Sequence, residues 1–162
     1  MRGDPEIVEL LNRVLTNELT AVNQYFLHSR MQLNWGYKRL GKHTYDESID
    51  EMRHADKLVH RVLYLGGLPN LQRLNTLRIG ETAVEQLNSD RSHEIEACAL
   101  LREGIVLTRS RDDVGSAVLL ESILTSEEEH IDWLDAQLEL VAQLELVAQI
   151  GEAHYLSQQI HD

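Results

Sequence analysis

The sequence predicts an all-α fold, a bundle of four long helices arranged as two hairpins. Three observations carry this. The chain of 162 residues has 5% aromatic residues, two prolines and abundant Leu, Glu, Ala and Gln, a composition that favours helix over sheet. Apolar side chains recur at spacings of three and four over four separate stretches. Glycine, proline and polar clusters punctuate the pattern three times, twice briefly and once at length. Two short connections and one long central one describe two helical hairpins joined by a crossover.

The first helix follows "GDPE", where Asp4 suits the N-cap and Pro5 the first helical position. Its stripe is Leu11, Leu15, Glu18, Val22 and Tyr25, and "NWGYKRL" breaks it near Gly36. The second helix runs from about Lys38 to Leu65 on the stripe Glu51, His54, Leu58, Val62 and Leu65. "GGLPNLQRLNTLRIGET" is then a long ordered connection. The third helix spans about Thr82 to Arg109, with Val84, Leu87, Arg91, Glu94, Cys98, Leu101 and Ile105 on one face. After "SRDDVGS", the fourth carries Leu120, Ile123, Glu127, His130, Leu134, Leu138 and Val141. Gly151 is expected to end it, leaving a short C-terminal helix over about 152–161. The whole chain, 1–162, reads as a single domain, with the bundle over about 5–150.

A net charge of −12 argues against a nucleic-acid partner and suits attraction of cations. The single cysteine, Cys98, excludes an internal disulfide framework and reads as a small buried hydrophobe. The start "MRGDPEIVELL" lacks the basic and apolar regions of a signal peptide. No apolar run approaches the roughly 18–20 residues of a membrane span. The expectation is a soluble, cytoplasmic protein.

Each stripe is apolar except near its middle, where an acid interrupts it. Glu18, Glu51, Glu94 and Glu127 all lie about a dozen residues into their helices. Antiparallel helices of similar length bring their midpoints to one height, so four carboxylates converge inside the bundle. His54 follows Glu51 by three residues and His130 follows Glu127 by three, so each pair shares a helix face. The spacing repeats: Glu18 to Glu51 and Glu94 to Glu127 are both 33 residues apart, and the two halves are offset by 76. This describes two copies of a hairpin related by a pseudo-twofold axis. Four buried carboxylates cannot all ionise together uncompensated. Two divalent cations neutralise them, and oxygen-rich ligation with one imidazole per metal suits iron or manganese better than structural zinc. "DRSH" repeats the spacing at Asp90 and His93, but these fall off the apolar stripe and are expected to be exposed.

The segments "NELTAVNQYFLHSRM", "NWGYKRL", "ESIDEMRHADK", "GLPNLQ" and "EEEHIDWL" resemble the ferritin-like di-iron carboxylate proteins, and within them the bacterioferritins, over nearly the whole chain. The resemblance implies a ferritin-like four-helix bundle with a long crossover between helices 2 and 3. It implies that Glu18 with His54 binds one iron, Glu94 with His130 the other, and that Glu51 and Glu127 bridge them. The implied activity is that of a ferroxidase, oxidising Fe(II) with O2 or H2O2 and storing ferric mineral in a hollow 24-subunit shell. Implied partners are further copies of the chain and a ferredoxin reductant.

Met52 points about 100° away from Glu51, so it faces the bundle's flank, where an apolar subunit contact and a ligand position both fit. The resemblance implies the latter: haem b shared between two subunits, with this thioether as axial ligand and Val22, Asn23, Phe26 and Trp35 lining the pocket. Met31 reads as packing. Tyr25 and Trp133 approach the acid cluster, either as core packing or as electron donors during oxygen reduction. An alternative function on the same bundle is a di-iron or di-manganese oxidase or peroxidase that stores nothing; a third is a purely structural bundle.

Two departures from the bacterioferritin pattern stand out. Some members use a histidine and an aspartate for an inner-surface iron site where this chain has Asp46 and Asp50, a pair that equally suits weak iron binding or a solvated acidic face. The other departure is LELVAQ, present twice in tandem over 138–143 and 144–149. Six added helical residues extend the helix by about 9 Å and rotate the C-terminal segment by about 240°. The bundle and the acid cluster are expected to survive, while the tail helix moves and Leu144, Leu146 and Val147 seek a new apolar surface.

Overall fold

In the computed structural model, which describes residues 2–158, the chain forms four helices: α1 (Pro5–Asn34), α2 (Lys38–Tyr64), α3 (Ala83–Ser110) and α4 (Val114–Gln158). The expected cap at Asp4 is present, and Thr82, read from the sequence as the start of the third helix, caps α3. The Asp4 carboxylate accepts the Glu6 N–H at 2.8 Å ahead of Pro5, and the Thr82 hydroxyl accepts the Glu85 N–H at 3.2 Å. Each satisfies a donor that the first helical turn leaves without an internal partner. Gly36, at φ +92°, takes the left-handed conformation that turns α1 into α2.

Contacts between helix ends define the topology. The Gly3 N–H donates to the Leu65 carbonyl, placing the start of α1 beside the end of α2. Arg111, just past α3, bonds to Asp4 and Glu6, and Arg61 of α2 bonds to Asp113 and Ser116 at the start of α4. The chain therefore runs up, down, down and up. The crossover, residues 66–82, returns along the length of α1.

What holds the crossover is polar. Asn12, Thr20, Gln24 and His28 recur on one face of α1 and bind successive backbone groups of the connection: Asn12 engages Leu68 and Asn70, Thr20 accepts the Asn75 N–H, Gln24 that of Arg78, and His28 that of Gly80. A connection with no secondary structure of its own thus has its buried donors satisfied by side chains. Gly80 passes so close to α3 that a Cβ there would lie 2.4 Å from the Gln86 nitrogen.

The apolar core fills the end of the bundle where α1 starts. Leu11, Val14, Leu15, Leu58, Val62, Leu101, Leu120 and Ile123 are buried in one cluster. Each such side chain contributes about 1.5–3 kcal/mol, so this end stabilises the fold and lets the middle of the bundle hold polar groups.

Two expectations are corrected. Gly151 does not end α4, which continues through it to Gln158, and no separate fifth helix exists among the described residues; 159–161 lie outside them. A helical glycine costs only about 1 kcal/mol relative to alanine, and here it is flanked by strong helix formers with no proline to stop the chain. Asp90 and His93, expected at the surface, are buried. α3 packs against α1 as well as α4, so its buried face is wider than a single stripe.

Candidate metal centre

All six residues expected at mid-height meet inside the bundle. Glu18 comes from α1, Glu51 and His54 from α2, Glu94 from α3, and Glu127 and His130 from α4; none is more than 9% exposed. They form two groups of four: Glu18, Glu51, His54 and Glu127, and Glu51, Glu94, Glu127 and His130. Within each group the candidate ligand atoms lie within 4.8 Å of one another, and Glu51 and Glu127 belong to both. His54 Nδ1 lies 2.9 Å from Glu127 Oε1, 3.5 Å from Glu51 Oε2 and 3.6 Å from Glu18 Oε2. His130 Nδ1 lies 3.5 Å from Glu94 Oε1 and 3.6 Å from Glu47 Oε2.

The donor atoms are also left unused. Both oxygens of Glu51 and Glu127, one each of Glu18 and Glu94, and Nδ1 of His54 and His130 are buried without a hydrogen bond of acceptable geometry. Outside these six residues, the same holds among the described residues only for atoms of Ser29, Gln32 and His43. Buried polar atoms are normally paired. Their concentration in one cluster fits cations held between carboxylate oxygens and imidazole nitrogens.

Electrostatics point the same way. Burial pushes the Glu18 carboxyl from 4.5 up to about 7, against the opposing pull of His54, with the Glu94 charge adding to the rise. His130 titrates above its ordinary value: burial opposes its charged form, but Glu94, Glu47 and Asp90 outweigh that. Such a cluster carries protons that a metal must displace.

Several groups surround it. The Tyr25 hydroxyl bonds to Glu94 Oε1, and its ring meets His130 edge-on at 5.3 Å between centroids. Burial, then the charges of Glu94 and Asp90, hold that hydroxyl well above its ordinary pKa. Trp133 stacks on His43 at 3.6 Å and lies 6.3 Å from the His130 ring. Cys98 is buried, its thiol pushed up to about 12 by desolvation and the Glu94 charge. Asp46 and Asp50 lie at the surface of α2, paired with Lys42 and Arg53 respectively. Met52 projects out of the bundle at 47% exposure; Phe26 and Trp35 are also exposed, and Val22 is half-buried.

Reading along stripes missed the network beside the cluster. His28 Nδ1 donates to Asp90 Oδ1 at 2.8 Å, and Nε2 accepts the Gly80 N–H at 3.0 Å, so the neutral Nδ1–H tautomer satisfies both partners. Gln24 bonds to the same Asp90 oxygen at 2.9 Å. His93 faces the Asn17 carbonyl. The available signal was the i, i+4 pair Gln24 and His28, polar residues that flank Tyr25 and continue the polar row of Asn12, Thr16 and Thr20 along α1.

The ferritin-like domain family matches residues 8–144. A bacterioferritin of Mycobacterium tuberculosis is 52% identical over 158 residues, covering 98% of this chain and 96% of that protein. The chain belongs to the bacterioferritins. A second bacterioferritin, from Streptomyces coelicolor, is 49% identical over 99% of this chain and 92% of its own length. That of Brucella melitensis is 44% identical over 96% and 92% respectively. The family match ends at Leu144, the first residue of the second LELVAQ. No helix among the described residues is long and apolar enough to cross a membrane.

Proposed function

We propose that the chain is an iron-storage subunit with ferroxidase activity, working as one ferritin-like domain in the cytoplasm. The observation that carries this reading is the pair of four-residue groups sharing Glu51 and Glu127, lined with buried donor atoms that have no other partner. Glu18 and His54 would hold one Fe(II), Glu94 and His130 the second, with Glu51 and Glu127 between them. Four carboxylates balance two Fe(II) ions, so the loaded site is neutral, which burial at low dielectric favours.

Iron here is the substrate. Two Fe(II) ions each lose one electron; O2 takes both with two protons to give H2O2, or H2O2 takes them with two protons to give two waters. The protein positions the pair, excludes bulk water and manages protons. Glu18, whose carboxyl is raised to about 7 before metal enters, gives up the proton it still holds near neutrality on binding. The Tyr25 hydroxyl donates to Glu94 and so fixes which oxygen remains free. Ferric product would pass to a cavity enclosed by further copies, with 24 as the family's number and a ferredoxin reducing the mineral for release. Met52, exposed on the flank, would hold haem b together with the same residue of a second subunit; such a haem supplies one-electron transfer.

An anaerobic Fe(II) titration of metal-free protein, followed by an oxygen pulse read by absorbance, tests this. Fast oxidation saturating near two irons per chain, then slower uptake far beyond it, is expected. Saturation at two with no further uptake refutes storage and favours the non-storing oxidase. Absence of saturable binding refutes the metal centre itself.

A further inference from the structure

The acid cluster is built on an internal repeat, and one side chain breaks its symmetry. Under the offset of 76 residues, Glu18 corresponds to Glu94, Asn17 to His93 and Tyr25 to Leu101. Glu94 therefore has a phenol against it whose hydroxyl donates to Oε1, whereas the equivalent residue of the other half is a leucine with no donor. Tyr25 is wholly buried, and two imidazoles meet its ring nearly at right angles: His130 at 5.3 Å between centroids and 82°, His93 at 6.2 Å and 86°. Both separations lie in the range of attractive edge-to-face contacts. The two imidazoles differ in what holds them. His130 is a candidate ligand whose Nδ1 has no hydrogen bond, so its ring is free to follow a metal. His93 precedes Glu94 by one residue and so points about 100° away from it, and its Nε2–H donates to the Asn17 carbonyl of α1 at 3.1 Å. Asn17 is in turn tied to the crossover, its side-chain oxygen accepting from the Asn75 amide at 2.8 Å. A leucine at 93 would fill the same buried space without desolvating a polar group. A histidine there gains a fixed ring plane, because the bond to Asn17 sets both tautomer and orientation.

We propose that His93 is a positioning residue for the metal centre: anchored on Asn17, it braces the Tyr25 ring so that the hydroxyl stays on Glu94 Oε1 and leaves Oε2 for the cation. This rests on the proposed iron centre and adds a residue outside its six ligands. The free oxygen is the one observed without a hydrogen bond, Glu94 Oε2. While His130 moves onto a metal, His93 stays with α1, so Tyr25 keeps one fixed neighbour throughout. The brace acts on one half of the site only, and the two metal positions are therefore inequivalent. Groups that touch a ligand and not the metal typically change metal affinity by about 10–100-fold. His93 acts one step further out, through Tyr25, so its effect belongs at the lower end of that range.

Titration of the metal-free full chain with Co(II), read by calorimetry and by the visible absorbance of the bound ion, tests this. The parent is expected to bind two Co(II) per chain, one for each four-residue group. His93→Leu should weaken one of the two by about tenfold and leave the other within about twofold. Tyr25→Phe should weaken the same one at least as much. Adding His93→Leu to Tyr25→Phe should then cost nothing further, because the brace has no hydroxyl left to hold in place. A histidine that only supports the fold would lower the urea midpoint in both backgrounds and leave the ratio of the two Co(II) affinities unchanged. His93→Gln keeps a donor for the Asn17 carbonyl but removes the ring; it should match His93→Leu, and it replaces that variant if the leucine chain does not fold. The proposal is overturned if the affinity ratio is unchanged in the His93 variants, if both Co(II) ions weaken together, or if His93→Leu costs as much in the Tyr25→Phe background as in the parent. A parent that binds no Co(II) saturably overturns the metal centre and the brace with it, whereas a parent that binds two while the His93 variants match it overturns the brace alone.

Discussion

Before metal binds, the buried acids oppose folding, and Glu18 allows that penalty to be measured. Its carboxyl moves from 4.5 in the unfolded chain to about 7 in the folded one, which makes its ionisation worth about 3 kcal/mol against the fold. Because the folded-state pKa is raised, the associated stability is fully present below pH 4.5 and is lost as pH rises through about 7. Glu18→Gln keeps the shape and removes the titration. In metal-free protein, the variant should gain about 2–3 kcal/mol on the parent between pH 5 and pH 8, a shift of about 1 M in the urea midpoint at typical slopes. Urea unfolding of both proteins with chelator present, at one protein concentration, reads this difference, and pH effects at sites remote from Glu18 cancel, while those of His54 and Glu94, which interact with it, enter the measured value. The order should reverse when Co(II) is added, because the parent has the carboxylate the metal needs. An offset between the two proteins that is the same at pH 5 and pH 8 would refute the argument.

Three further outcomes rest on named contacts. His28→Leu removes the acceptor of the Gly80 N–H and a donor to buried Asp90, so it should cost about 2–4 kcal/mol and speed hydrogen exchange at Gly80. Asp113→Ala removes the contacts to Ser116 and Arg61 that start α4, and a melting shift corresponding to about 1–2 kcal/mol is expected. Partial burial raises the Asp113 pKa, but Ser116 and Arg61 outweigh it and hold it below 3.8, so the difference between parent and variant should vanish as pH falls through that depressed value. Cys98 should resist alkylation at pH 8 in the native protein and react fully in urea, as mass spectrometry of the labelled chain will record.

The meeting of six donors was legible because it depends on two periodicities. The 3.6-residue repeat identified which residues of each helix face inward, and the internal repeat of 76 brought matching positions of the two hairpins to one height. Caps at Asp4 and Thr82 and the turn at Gly36 are likewise local chemistry, readable from a few neighbouring residues. Asp90 and His93 were misread because helical periodicity describes one packed face, while α3 has two neighbours. Which polar side chain finds a buried partner depends on the crossover lying over α1, a contact between residues more than fifty positions apart. Gly151 was misread for a related reason: a glycine ends a helix only where another conformation gains more, and nothing packs around it to supply that gain. The sequence by itself determined the four helices, their order and the acids at their middles, since these rest on local propensity and spacing. Only the tertiary structure decided which polar groups are paired, which donor atoms are left for a metal, and that α4 runs on into solvent, because burial is a property of the packed chain.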